Sequence, residues 1–199
     1  MKDYLRYHWW KYVGIALIFT GLWCYVFSAI ARPGRDERIK ILYIGTHLQL
    51  QQLENQLTEA MPELTQQPIE SICVDSALPD VLPYHLLLST RVMEYDILII
   101  EEPYLQEKTG QSHFVRGSEL LHSHFPQAEP YYEEVGDHKR IFGYIAGDES
   151  LFSDYYEGEN RCYLFASPES VNFDTLNGEG ESGNDAALKT AQYLLAPAE

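Results

Sequence analysis

The run Tyr12–Ala31, YVGIALIFTGLWCYVFSAIA, holds twenty residues without a charge, and only Thr20 and Ser28 interrupt it with small polar groups. A helix of that length rises about 30 Å, the thickness of a bilayer's hydrocarbon core. Lys2, Arg6 and Lys11 precede it together with Tyr4, Tyr7, Trp9, Trp10 and Tyr12, rings that sit well at a headgroup interface, half in water. The chain is expected to be held to membrane lipid by one pass at residues 12–31, between a short tail (1–11) and a linker (32–37). A cleaved signal peptide is the rival, because Ala29 and Ala31 make a small-x-small pair. Secretory apolar regions usually run to about 7–15 residues, and the greater length here favours an uncleaved anchor. Cys24 lies deep in the run between Trp23 and Tyr25, a poor place for lipid attachment. Flanking charge does not fix the sidedness, since Lys2, Arg6 and Lys11 face Arg32, Arg35, Arg38 and Lys40 across the span.

Residues 38–199 are long enough for one domain with its own core. The chain has 30 acidic and 14 basic residues; its first 32 contribute only Asp3 against Lys2, Arg6, Lys11 and Arg32, leaving 29 acids against 10 bases beyond them. That imbalance argues against nucleic acid as a partner, because phosphate neutralisation dominates such binding. It also argues against a domain lying on anionic lipid. Cys73 and Cys162, each in an apolar run, are expected to be buried free thiols; a disulfide would require their strands to be neighbours.

Beyond the linker, strand-like and helix-like patterns alternate. Arg38–Gly45 (RIKILYIG) is β-branched and apolar, and Leu50, Leu53, Leu57 and Ala60 fall at helical spacing within Leu48–Ala60. A strand at Ile69–Val74 and a helix near Pro83–Glu94 follow, and Tyr95–Ile100 (YDILII) reads as a strand buried on both faces. Further on, a short helix at Gly117–His124 precedes a tyrosine-rich loop at Glu129–Glu134. Lys139–Ala146 (KRIFGYIA) and Arg161–Ala166 (RCYLFA) read as strands, Pro168–Gly183 as a polar loop, and Asp185–Leu195 as a closing helix. The alternation predicts an α/β domain, a parallel sheet with helices packed on it.

The segments KILYIG, YDILII followed by EEPYL, HKRIFGYIA, and YLFASPES with NDAALKTAQYLL together resemble one lobe of the extracellular solute-binding proteins that serve ABC importers, the crossed-over type II fold. The resemblance spans nearly all of 38–199, and the chain has room for one lobe where the family has two. It implies a single three-layer lobe with a mixed, mostly parallel sheet of order 2-1-3-n-4, n being an antiparallel strand from KRIFGYIA. It further implies an extracytoplasmic domain at the cell membrane, beside a transporter or receptor component as protein partner, with a sugar as the ligand class.

In open α/β sheets, ligands bind beyond the carboxyl ends of the parallel strands. That places Gly45, Thr46 and His47, then Asp75 and Ser76, then Glu101, Glu102 and Tyr104 along one rim as candidate ligand-binding residues. Individually, Thr46 and Ser76 also suit helix caps and the acids suit solvation; their convergence makes the rim a candidate. All three tryptophans lie in or beside the anchor, so sugar stacking would fall to the domain's eleven tyrosines, including Tyr131–Tyr132 and Tyr155–Tyr156.

Other motifs do not hold up. Gly178, Gly180 and Gly183 spell G-x-G-x-x-G, but no strand directly precedes them and no acid follows about 20 residues on, so no dinucleotide or other cofactor is expected. His122 and His124 are two apart and diverge on a helix, and with His113 and Glu119 they do not make the three or four convergent ligands of a metal site. There is no G-x-S-x-G elbow and no inferable nucleophile–base pair, so no catalytic residue is assigned and an enzyme is not expected. The favoured expectation is an anchored accessory lobe acting through a protein partner with at most weak sugar binding. The alternatives are a solute binder completed by dimerisation or a partner, and an enzyme of unknown chemistry on an α/β scaffold.

Overall fold

The computed structural model describes residues 2–30, 37–65, 69–77, 94–105, 119, 122–135, 137–147, 150–167, 170, 172–173 and 185–197. The chain divides into two compact units, Met1–Gly34 and Arg35–Glu199.

The first unit is one helix, α1 (Lys2–Ile30), apolar enough over Trp9–Phe27 to cross a membrane, with a mean hydropathy of 1.4. Its large side chains from Trp9 to Phe27 are exposed within the chain, so nothing in this unit covers a helix that is apolar on every side, as a lipid-facing span requires. Thr20 donates its hydroxyl to the Ala16 carbonyl at 2.9 Å, leaving no unsatisfied polar group there. A signal sequence meets the same length and apolarity test, and fractionation separates the two. The full-length chain is expected to stay with membranes through alkaline and high-salt washes, because burial of about 20 apolar residues resists conditions that strip electrostatic attachment. Recovery of a soluble species starting near Arg32 or Pro33 would establish cleavage instead.

In the second unit, the described strands are β1 (Arg38–Ile44), β2 (Ser71–Ala77), β3 (Ile97–Glu101), β4 (Glu129–Val135), β5 (His138–Ala146) and β6 (Cys162–Ala166). They form one mixed sheet of order β2-β1-β3-β6-β5-β4. β1 pairs in parallel with β2 and β3, as the alternating pattern predicts, and the remaining pairings are antiparallel. The sheet is therefore mixed without being mostly parallel. The 2-1-3 order stands, but KRIFGYIA does not lie beside β3; β6 takes that place. Burial explains the exchange. All five residues of β6 are buried, as the centre of a sheet demands, whereas β5 opens with the exposed His138, Lys139 and Arg140 and meets β6 only over Tyr144–Ala146.

The expected loop at Glu129–Glu134 is also corrected, since it is β4 and pairs along β5 as a hairpin in which Val135 faces His138. Two residues, Gly136 and Asp137, separate those partners, a length typical of tight hairpins. Pro130 and a register shift between Tyr131 and Tyr132 interrupt β4, features that discourage further strand addition. The expected helices at Pro83–Glu94 and Gly117–His124 lie mostly outside the described residues, as do the loop at Pro168–Gly183 and its glycine motif; His122–His124 is a single 3-10 turn.

Two helices pack on one face of the sheet, α2 (Leu50–Leu64) and α3 (Ala186–Leu195). α2 turns Leu53, Leu57 and Met61 inward at four-residue spacing, and Glu54 reaches the edge of the sheet to accept the Val74 N–H at 3.1 Å. α3 buries Ala186, Ala187, Thr190, Ala191 and Leu194, mostly small side chains that let it lie close to its neighbours. Ile39, Ile41, Ile97 and Ile99 face this layer, while Leu42, Ile44, Leu98 and Ile100 form a second cluster on the opposite face with Tyr95 and Phe165. Cys73 and Cys162 are free thiols on β2 and β6, with β1 and β3 between them.

Candidate functional site

β3 ends on Glu101, whose position after Ile97 and Ile99 turns its side chain toward the helical face. It is fully buried there. A carboxylate so far from water must be met by donors or it destabilises the fold. Here His47 Nδ1 lies 2.6 Å and Tyr156 Oη 2.5 Å from Oε1, the Thr46 N–H points at Oε2 from 3.3 Å, and the Tyr43 hydroxyl alongside accepts the His47 N–H at 3.2 Å. His47 Nδ1 also lies 3.1 Å from the Thr46 hydroxyl, and in the tautomer with its proton on Nδ1 it donates to the carboxylate. The His47 side chain remains 46% exposed, so the site presents a buried acid through a half-exposed ring.

Local sequence explains how these groups converge. β1 delivers Tyr43 and then Gly45, where an added Cβ would lie 2.3 Å from Tyr43 Oη and 2.7 Å from Glu101 Oε2. Glycine is required by this close approach. The same device recurs at Gly158, where a Cβ would lie 2.2 Å from Tyr156 Oη. In both places a tyrosine ring lies back over a glycine two residues later. Tyr156 is carried by the segment after β5, which forms a 3-10 helix (Leu151–Tyr155) with Phe152 buried beneath it. This segment is laced to the loop after β1, since Gln49 N–H donates to the Tyr155 carbonyl at 2.9 Å and Glu157 N–H to the His47 carbonyl at 3.0 Å. The Tyr156 ring stacks on Phe152 at 5.8 Å and meets His47 edge-on at 6.2 Å.

The electrostatics follow from burial. Removal from water raises the Tyr156 hydroxyl well above its ordinary pKa, and its hydrogen bond to Glu101 adds to the shift. Tyr43 is raised for the same leading reason, reinforced by the Glu101 charge. Cys162, opposite Glu101 in the β3–β6 register, is pushed up to about 12, chiefly by burial and further by Glu101. Its thiol is protonated at neutral pH, so it is no ready nucleophile or metal ligand. Among the described residues no group of three His, Cys, Asp or Glu side chains is placed to hold a metal ion.

The rim thus divides between the two faces of the sheet. Gly45, Thr46, His47 and Glu101 meet in one cluster, joined by Tyr43, Tyr156 and Cys162, which the strand-end rule did not single out. Glu102, one residue on, lies near the Tyr163 hydroxyl (3.3 Å), which belongs to the opposite cluster, and Tyr104 packs against that same cluster. Asp75 accepts the Tyr95 hydroxyl at 2.7 Å, also on that side, and Ser76 is exposed on β2. The Tyr-x-Gly spacing at 43–45 and 156–158 is the sequence signal that could have paired Tyr43 with Tyr156. No family model, curated protein or solved structure matches the chain.

Proposed function

We propose that this protein is a membrane-anchored, extracytoplasmic accessory lobe that works through contacts with a transporter or receptor component, with little solute binding of its own. The observation that carries this reading is the state of Glu101. The rim acid best placed for a ligand is fully buried and already engaged by His47, Tyr156 and Thr46. It serves to buckle the loop after β1 to the segment around Tyr156, so a solute would have to break the buckle to use it. The other rim acids, Asp75 and Glu102, belong to the opposite side and do not converge with it.

A single lobe also leaves one side of any rim ligand in water, well short of the roughly 70–90% burial of typical small-molecule sites. Calorimetry on the purified chain with mono- and oligosaccharides is therefore expected to give dissociation constants no tighter than about millimolar, equivalent to about −4 kcal/mol. A micromolar sugar whose binding is lost in Glu102→Ala or Asp75→Ala would overturn the accessory reading and establish the solute-binder alternative.

A further inference from the structure

Away from the Glu101 cluster, two adjoining cavities of about 200 and 370 Å3 open beside the C-terminal end of α3 and share Gln127, Ala128, Leu195 and Pro197 in their walls. Together they form a groove, with Phe125 lining one cavity and Ile145 the other. Apart from half-buried His124 at the wall of the smaller cavity, its ionisable lining is acidic. Glu129, exposed at the first position of β4, lines the larger cavity, and among the described residues neither cavity is lined by a lysine or arginine. The last turn of α3, which ends at the groove, carries no basic residue to offset the negative end of its helix dipole. Beyond Arg32, acids outnumber bases 29 to 10, a field that draws a cationic partner inward.

We infer that this groove docks an extended segment of the partner protein that presents a lysine or arginine to Glu129 and the α3 terminus, with apolar neighbours on the Ala128–Leu195–Pro197 wall. The inference rests on the accessory reading and names the chemistry of the partner. A strand added along β4 is disfavoured by Pro130 and the shift at Tyr131/Tyr132, so recognition falls to side chains in the groove.

The test uses the full-length chain in nanodiscs of zwitterionic lipid and capped pentapeptides with a central lysine flanked by leucines, read by fluorescence anisotropy. Twin peptides carry norleucine or glutamate in place of the lysine. The lysine peptide is expected to bind about tenfold more tightly than its norleucine twin, as one well-placed charge contact allows. Glu129→Lys should remove that preference without moving the melting temperature, and Ala128→Trp, which fills the groove, should abolish binding of all three peptides. Glu159→Lys, the same charge change at another exposed position, should leave the preference intact. The inference is overturned if no peptide binds, if lysine and norleucine peptides bind alike, or if Glu159→Lys acts as strongly as Glu129→Lys. Failure here with a rim silent toward sugars would remove the groove and keep the accessory reading, whereas a micromolar sugar at the rim would remove the reading itself.

Discussion

Replacing Glu101 with alanine is expected to cost about 3 kcal/mol of folding stability, the order for losing two hydrogen bonds to a buried charged group at about 1.5–3 kcal/mol each. The magnitude comes from what is left behind. The part-buried Tyr156 hydroxyl loses its acceptor, as do His47 Nδ1 and the Thr46 N–H on the more open side, where water can replace it; a donor left unmet away from water costs about 1–3 kcal/mol. Relief of the desolvation penalty on the carboxylate offsets part of this, which holds the total below the plain sum. In a chain beginning at Arg35, thermal unfolding should shift down by about 10 °C, at roughly 2–4 °C per kcal/mol for a domain of this size. Glu101→Gln should fall between wild type and alanine, since it restores one acceptor oxygen but turns an NH2 group toward other donors. A loss under about 1 kcal/mol for the alanine variant would mean that the cluster is not held by its acid.

The strand-end rule brought Gly45, Thr46, His47 and Glu101 into view because all follow from where β1 and β3 stop. It did not say which way each side chain turns. Alternation along β3 carries that information, as Glu101 shares the face of Ile97 and Ile99 while Glu102 falls on the other side. Reading the rim as a line of acids joined groups that the sheet itself separates. Tyr156 lies 55 residues from Glu101 along the chain, and no periodic pattern marks it because it follows an irregular 3-10 turn. Only the glycine two residues later points to a ring that needs room.

The fold was readable where apolar runs are unbroken. β1, β3 and β6 are almost wholly buried and announce themselves by composition, and α2 and α3 by spacing. β4 is hidden because its sequence, EPYYEEV, looks like a solvated loop. Its stability comes from pairing with β5 and from contacts such as Tyr131 on Tyr163 at 4.6 Å and Lys139 over the Tyr132 ring at 4.8 Å. The order of β5 and β6 was misjudged for a related reason. The resemblance to a solute-binding lobe implied that KRIFGYIA would lie beside β3, but the five-residue apolar run of β6 loses more by exposure than a strand that begins with three polar residues.

Gly45→Ala is expected to cost about 3 kcal/mol, at the upper end of the penalty for overpacking a filled interior. The new methyl would sit 2.5 Å from Tyr43 Cζ and 2.7 Å from Glu101 Oε2 as well as against the Tyr43 hydroxyl. A flexible side chain could swing aside, but the Tyr43 ring is buried and its oxygen is engaged by the His47 N–H at 3.2 Å. Relief must therefore come at the expense of the hydrogen bonds around Glu101. Tyr43→Phe deletes the oxygen that the methyl would strike, so Gly45→Ala should cost less in a Tyr43→Phe background than alone, by about 1 kcal/mol or more, a coupling that a double-mutant cycle resolves. Strict additivity of the two changes would show that the clash lies with the ring carbons that Tyr43→Phe keeps, or with Glu101 Oε2, and not with the hydroxyl.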